Sequence, residues 1–229
     1  VKLLAIETST EACSVALLDD GEITLRHELA PRRHTQLVLP WAEQLLAGAG
    51  LLKSQLDAIA VGRGPGAFTG VRLGIALVQG LALALDRPVL PVSTLAVLAM
   101  QGQGADILAA IDARMGEVYL GRFVRDADGL VTAAADEVLC PPAEAPLPPV
   151  AVQGVGTGFA AEDGALVARL GGLLAGFDAG ALPRSDDLAR LAQRAFERGE
   201  AVAPDAIEPA YLRDKVALTL AEQGKPRPA

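Results

Sequence analysis

The sequence predicts a mixed α/β protein built as two lobes, and three observations carry that prediction. Residues 2–30 break into three short apolar stretches separated by turn residues, as an antiparallel meander does. From His34 to Gln101, stretches of helical period alternate with short runs of strand character. After the polar stretch Gln101-Gly102-Gln103-Gly104, a second series of strands opens in the same manner. A chain of 229 residues is long for one core and suits two lobes of roughly 100 residues each. We therefore expect a first lobe over 1–101 and a second over 102–229.

Each element has its own warrant. The meander strands are 2–7, 12–19 and 22–30, punctuated by the polar turn 8–11 and by Asp19-Asp20-Gly21. A helix runs from His34 to about Ala47 and ends at Gly48 and Gly50; Pro40 sits early in it, where a missing donor costs least. Strand 57–62 leads into the glycine-rich loop Arg63-Gly64-Pro65-Gly66-Ala67-Phe68, and a second helix covers 69–85 until Asp86-Arg87-Pro88 stops it. Strand 89–92 and a helix over 93–101 complete the first lobe. The second lobe shows strands at 107–112, 117–125 and 130–132. Residues 141–149 contain five prolines and are expected as an irregular surface excursion. A helix is expected over 185–198, with Ser185 as N-cap and Asp186 and Asp187 at the positive end of its dipole.

Composition narrows the function classes. Hydrophobic residues make up 51% and charged residues 21%, which fills a core and argues against disorder. Aromatics are only 3%, so the core is packed mainly with Ala, Leu and Val. A net charge of −8 argues against gripping nucleic acid unaided, because phosphate neutralisation needs clustered Lys and Arg. Cys13 and Cys140 lack CxxC spacing and are expected as free thiols in a reducing, cytoplasmic setting. Only four apolar residues separate Lys2 from Glu7, too few for a secretory leader. The charge-free stretch 73–85 is shorter than the roughly 20 residues a bilayer helix requires, so no membrane association is expected.

The helix over 69–85 is unusually apolar. Its polar side chains are Thr69, Arg72 and Gln79, which share a narrow stripe and leave roughly 300° of apolar surface. A helix covering one face of a sheet needs only about 100°. In the preceding helix, Leu37, Val38, Leu39, Trp41, Ala42, Leu45 and Leu46 span about 200°, again more than one surface uses. Cover from elsewhere in the chain would explain both. A docking face for another subunit is the preferred reading, because both surpluses belong to consecutive helices. The expected interface residues are Leu37, Trp41, Leu45, Gly70, Val71, Gly74, Ile75, Val78 and Leu81.

Candidate chemistry is sparse. A phosphate-binding P-loop requires GxxxxGK[ST], whereas Gly64 and Gly66 are followed by Phe68-Thr69-Gly70 without a lysine. A structural turn, with Thr69 as cap and Phe68 stapled onto Leu73, is preferred to an anion site near Arg63 and Arg72. Glu7-Thr8-Ser9-Thr10 could hold a nucleotide's phosphates and a metal, although Thr and Ser are also ordinary turn residues. The two histidines, His27 and His34, form no zinc motif, and there is no GxSxG. Asp112 and Glu117 flank a turn and make a weak acid–base pair at most. No catalytic residue and no resident metal are expected.

Taken together, several segments resemble the TsaB (YeaZ) family. They are Ala5-Ile6-Glu7-Thr8-Ser9-Thr10 with Cys13-Ser14-Val15-Ala16, His34-Thr35-Gln36 with Leu39-Pro40, and Gly64-Pro65-Gly66-Ala67-Phe68-Thr69-Gly70-Val71-Arg72 with Gly74-Ile75. Further matches are Pro91-Val92-Ser93, Asp112-Ala113-Arg114 with Glu117-Val118-Tyr119, and Pro209-Ala210-Tyr211-Leu212-Arg213. The resemblance covers about the first 120 residues in order plus this late segment, and 130–200 matches only loosely.

This resemblance implies an actin-like (actin/hexokinase/Hsp70, ASKHA) fold with a mixed five-stranded sheet in each lobe. It implies a non-catalytic partner of TsaD, the paralogue that transfers threonylcarbamoyl to tRNA adenosine at position 37. It implies docking through the first two helices, homodimers when the partner is absent, and TsaE in the same complex. ATP or ADP and a metal are implied on the partner subunits, with tRNA reached only through the complex. The paralogue's HxxxH metal motif would fall on Thr94 and Leu98, neither of which replaces an imidazole. The Glu7–Thr10 turn then reads as a possible vestigial phosphate loop, and Gly154-Val155-Gly156-Thr157-Gly158 is the nearest approach to an adenosine-binding GGxxxN pattern. Rival readings are an actin-fold small-molecule kinase and a metallopeptidase-like protein.

Overall fold

The structure, a computed structural model, describes residues 1–212. Its first sheet begins with the meander: β1 (Lys2–Glu7), β2 (Ala12–Asp19) and β3 (Glu22–Leu29), all antiparallel. The β2–β3 turn is Asp20-Gly21, both with positive φ (47° and 98°), the geometry that fits a two-residue hairpin to the strand twist. Next come α1 (His34–Gly48), β4 (Ala58–Gly62), α2 (Phe68–Leu85), β5 (Val89–Val92) and α3 (Thr94–Ala99), with β4 and β5 parallel to β1. The order is β3-β2-β1-β4-β5. Pro40 stands beyond the first turn of α1, on an exposed side where water can reach the carbonyl it leaves unbonded.

The second lobe contains β6 (Asp106–Arg114), β7 (Glu117–Arg125), β8 (Val131–Ala133), β9 (Val138–Cys140), β10 (Val152–Val155), α4 (Ala165–Leu170) and β11 (Leu174–Asp178). Its order, β11-β10-β6-β7-β8, repeats that of the first sheet, with parallel and antiparallel pairs in the same places. The sheet has six strands rather than the expected five, because β9 also pairs with β7. At three residues, β9 is too short to show a period in the sequence. The proline-rich stretch forms a single short 3-10 turn, Pro142–Glu144, as its composition demands.

Alternation along the strands sorts side chains into layers. Leu4 and Ile6 of β1 face α1 and α2, in a cluster with Val38, Leu45, Val71 and Val78. Leu3 and Ala5 face the other way, into a core shared with α3 and with Ile107, Ala109 and Phe123 of the second sheet. Leu108, Leu120 and Val152 line the far face, under Leu166 and Leu170 of α4. The final described helix, α5 (Ser185–Glu197), corrects the expected boundary. It follows the second sheet in sequence, yet it packs on the strands of the first and sits beside α3 between the two sheets. After it, Val202 bridges back to Val89.

Ser185 does not cap α5; Arg184 occupies that position. Ser185 is fully buried and fastens the helix to β2 instead. Its N–H donates to Ser14 Oγ at 2.8 Å, and its hydroxyl donates to the Ser14 carbonyl at 2.7 Å. Cys13 and Cys140 are free thiols, and burial pushes Cys13 up to about 12. Ser185→Ala should lower the free energy of unfolding by about 0.5–1.5 kcal/mol in urea titration, since it removes a buried hydrogen bond that joins α5 to β2. An unchanged midpoint and slope would contradict this assignment.

Candidate functional site

The carboxyl ends of β1 and β4 bring the turn 8–11 against the loop 63–67 and the start of α2. Glu7, at the end of β1, is 1% exposed. It fills the room left by Gly62, where an added Cβ would lie 1.7 Å from Glu7 Oε2. Glu7 Oε1 accepts the Ser9 N–H at 2.6 Å, while Oε2 has no hydrogen-bond partner among the described residues. Burial raises its pKa above the usual glutamate range, against the opposing pull of hydrogen bonds from Ser9, Thr8 and Thr94.

The neighbouring hydroxyls are bonded within the chain. Thr8 donates to the Gly70 carbonyl at 2.8 Å. Ser9 and Thr94 share a hydrogen bond at 2.9 Å, and Thr94 Oγ1 accepts the Gly64 N–H at 3.1 Å. The Ala67 N–H donates to the Ser9 carbonyl at 2.7 Å. Added Cβ atoms at Gly66 and Gly70 would lie 2.5 and 2.1 Å from the Ser9 and Thr8 carbonyls, so glycine permits this approach. His34 is buried with Nε2 3.0 and 3.1 Å from the carbonyls of Thr10 and Ala12, which requires a proton on that nitrogen.

The loop and turn form a closed clasp, in agreement with the turn reading. Two local expectations change. Ala67, not Thr69, is the N-cap of α2. Phe68 is 56% exposed and lies under the Arg72 guanidinium, 3.4 Å from its ring centroid, rather than stapled to Leu73. Thr94 is bonded as above, and Leu98 is buried between the sheets. Among the described residues, no group of three or more His, Cys, Asp and Glu gathers as a metal site.

Ser9, Thr10, Gly66 and Ala67 of the clasp also line a cleft of about 700 Å³ that opens between the lobes. Thr10, Arg72 and Tyr211 line one wall, and Asp112, Arg114 and Thr157 the other. Arg72 also stacks on Tyr211 and donates to its hydroxyl at 2.9 Å. Asp112 pairs with Arg114 at 2.9 Å, and its N–H donates to Thr157 Oγ1. Gly156, at φ 108°, presses on β6, with an added Cβ 2.3 Å from the Ala110 carbonyl, so this second glycine run is packed closed as well. Arg213, the last residue of the late segment, lies outside the described residues.

The expected docking residues divide into two groups. Leu45, Val71, Ile75 and Val78 point into the first lobe's own core, and Gly74 is buried against Thr8, so the chain itself covers all five. Leu37, Trp41, Gly70 and Leu81 are half-buried and remain at the surface. The open side of α2 consists of Ala76, Gly80, Leu83 and Ala84, with Leu77 at its edge. The polar stripe meets the chain's own last segment, where Gln79 donates to the Pro204 carbonyl at 3.0 Å. Helix 68–85 has the length and composition of a membrane span, but one flank is held by the sheet and another by that segment. Choosing the glycine-lined stripe as the sheet side would have placed the open face correctly, since Gly70 and Gly74 are the residues that let α2 approach Thr8.

Two substitutions in one helix separate these roles. Gly70→Ala should cost more than about 2 kcal/mol, whereas Gly80→Ala, with nothing within 4 Å, should stabilise by up to about 1 kcal/mol; thermal unfolding of both reads the contrast. The raised pKa of Glu7 favours the folded state at low pH, and that contribution is lost as pH rises above the usual glutamate range. Glu7→Gln should therefore flatten the stability–pH curve above about pH 4.5. A curve parallel to the parent's would show that Glu7 does not carry the effect.

Residues 26–220 match the family model described as TsaD, tRNA N6-adenosine threonylcarbamoyltransferase. The chain is 41% identical to the tRNA threonylcarbamoyladenosine biosynthesis protein TsaB of Escherichia coli (strain K12), over 95% of this chain and 96% of the relative. It is 42% identical to the TsaB of Haemophilus influenzae (strain ATCC 51907 / DSM 11121 / KW20 / Rd), over 93% and 94%. Among solved structures, YeaZ from Pseudomonas aeruginosa superposes with a TM-score of 0.85 at 47% identity, covering 92% of this chain and 99% of that one. A two-lobed mixed α/β fold, a shared TsaD-type family model and near full-length identity above 40% agree, and the chain belongs to the TsaB (YeaZ) family.

Proposed function

We propose that this chain is a non-catalytic subunit that holds and activates a TsaD-type transferase during formation of threonylcarbamoyladenosine at position 37 of tRNA. The observation that carries this reading is the apolar face that α1 and α2 leave uncovered, with Leu83 at 66% exposed. A specific interface buries about 800 Å² per partner, and the 18-residue α2 is about 27 Å long, so the two helices can supply much of that area. The names of the relatives support the pathway. The TsaD-type match supports a paralogous partner, because like folds present like helices for pairing.

On this reading, the same face forms homodimers when the partner is absent, and TsaE joins the TsaD-bound complex. Nucleotide and metal belong to those partner subunits, tRNA is reached through the assembly, and the work is done in the cytoplasm. The closed clasp at Glu7–Thr10 supports a role without chemistry of its own, since its hydroxyls are engaged by the chain.

Gly80→Arg tests the docking face without loading the core, because nothing lies within 4 Å of the added Cβ. The variant should keep its circular dichroism and melt no lower than the parent while binding TsaD at least about tenfold more weakly in calorimetry. Reconstituted tRNA modification should fall in parallel. Binding and modification equal to the parent would overturn the assignment of this face.

A further inference from the structure

Among the described residues, the two lobes are joined by two crossovers, residues 100–105 before β6 and residues 179–184 before α5. Movement of the lobes about the cleft requires backbone rotation in these segments. The first contains Gly102 and Gly104, residues that suit a hinge. Both crossovers are nevertheless tied down.

Arg125, half-buried at the end of β7, reaches across the first crossover. Nη2 lies 2.7 Å from the Gly102 carbonyl, 3.0 Å from that of Met100 and 3.3 Å from that of Ala99. Nε donates to Gly104 at 3.3 Å, and the Arg125 backbone N–H donates to Ala105 at 2.8 Å. Nη1 donates to Gly129 at 2.6 Å, which adds the β7–β8 turn to the same group. Gln101 then joins the two crossovers, its side-chain amide donating to the Leu182 carbonyl at 2.5 Å. A third tie comes from α5, which packs on the first sheet while its Arg194 pairs with Asp126 and donates to the Val131 carbonyl in the second lobe.

We propose that Arg125 and Gln101 latch the crossovers, so that the chain works as a rigid two-lobed block at one interlobe angle rather than as a hinged clamp. Charge-assisted bonds to several carbonyls are lost together if the crossover turns, which makes the latch cooperative. Lysine cannot substitute, because one ammonium does not span carbonyls on opposite sides of a planar fork. The cleft therefore keeps one aperture whether or not a partner is docked on α1 and α2.

The test is pulsed dipolar spectroscopy with spin labels at Glu22 and Asp163, exposed positions in different lobes, in a Cys13→Ala, Cys140→Ser background. The parent should give one narrow distance. Arg125→Met should broaden or shift it by several ångströms and raise amide exchange at 102–104 at least about tenfold. Gln101→Ala, which leaves no charge stranded, should broaden it too and serves if the arginine variant does not fold. A parent distribution that is already broad overturns the latch. So does an Arg125→Met protein, or in its place a Gln101→Ala protein, with the parent's narrow distance and unchanged exchange.

Discussion

The close seating of α2 on the turn after β1 is the constraint from which much of this molecule follows. Gly66, Gly70 and Gly74 remove the side chains that would hold the two backbones apart. The helix then lies with Thr8 and Ser9 bonded into its own loop, and a helix so placed turns Val71, Ile75 and Val78 toward the sheet. Its opposite side is left apolar and uncovered. Closing the clasp and exposing an apolar helix face are thus two results of one packing choice.

Much of this was legible beforehand, because the strongest signals were local. The meander, the apolar helix 68–85 and the Asp-Gly turn are each written in a few neighbouring residues. What escaped was non-local or too short. Nothing near Ser185 reveals that its hydroxyl meets Ser14 across the fold, and a serine at the head of a helix has the chemistry of a cap. The three residues of β9 carry no period. Of the residues named for docking, Leu45, Val71, Ile75 and Val78 lie on the inward side of their helices. An apolar stripe states how much surface is available without stating which part of it faces inward.

The two sheets share one strand order although the sequence shows no internal repeat. The departures lie in the connections. Where the first lobe places α1, the second has the proline-rich excursion with its single 3-10 turn. Proline cannot sustain a helix there, so among the described residues the second lobe has no counterpart of the α1–α2 pair. One lobe carries two long helices on this side; the other carries loops and the short α4. The glycine runs that would cradle a ligand in each lobe are both packed against adjacent backbone.

The return of α5 to the first sheet has a consequence for biosynthesis. Ser14 and Ser185 lie 171 positions apart, so one face of β1 and β2 waits for a helix made late in translation. At ordinary elongation rates this interval is roughly ten to thirty seconds. During it the nascent strands expose Leu3, Ala5, Ala16 and Leu18 on the ribosome, a greasy surface of the kind that holdase chaperones recognise.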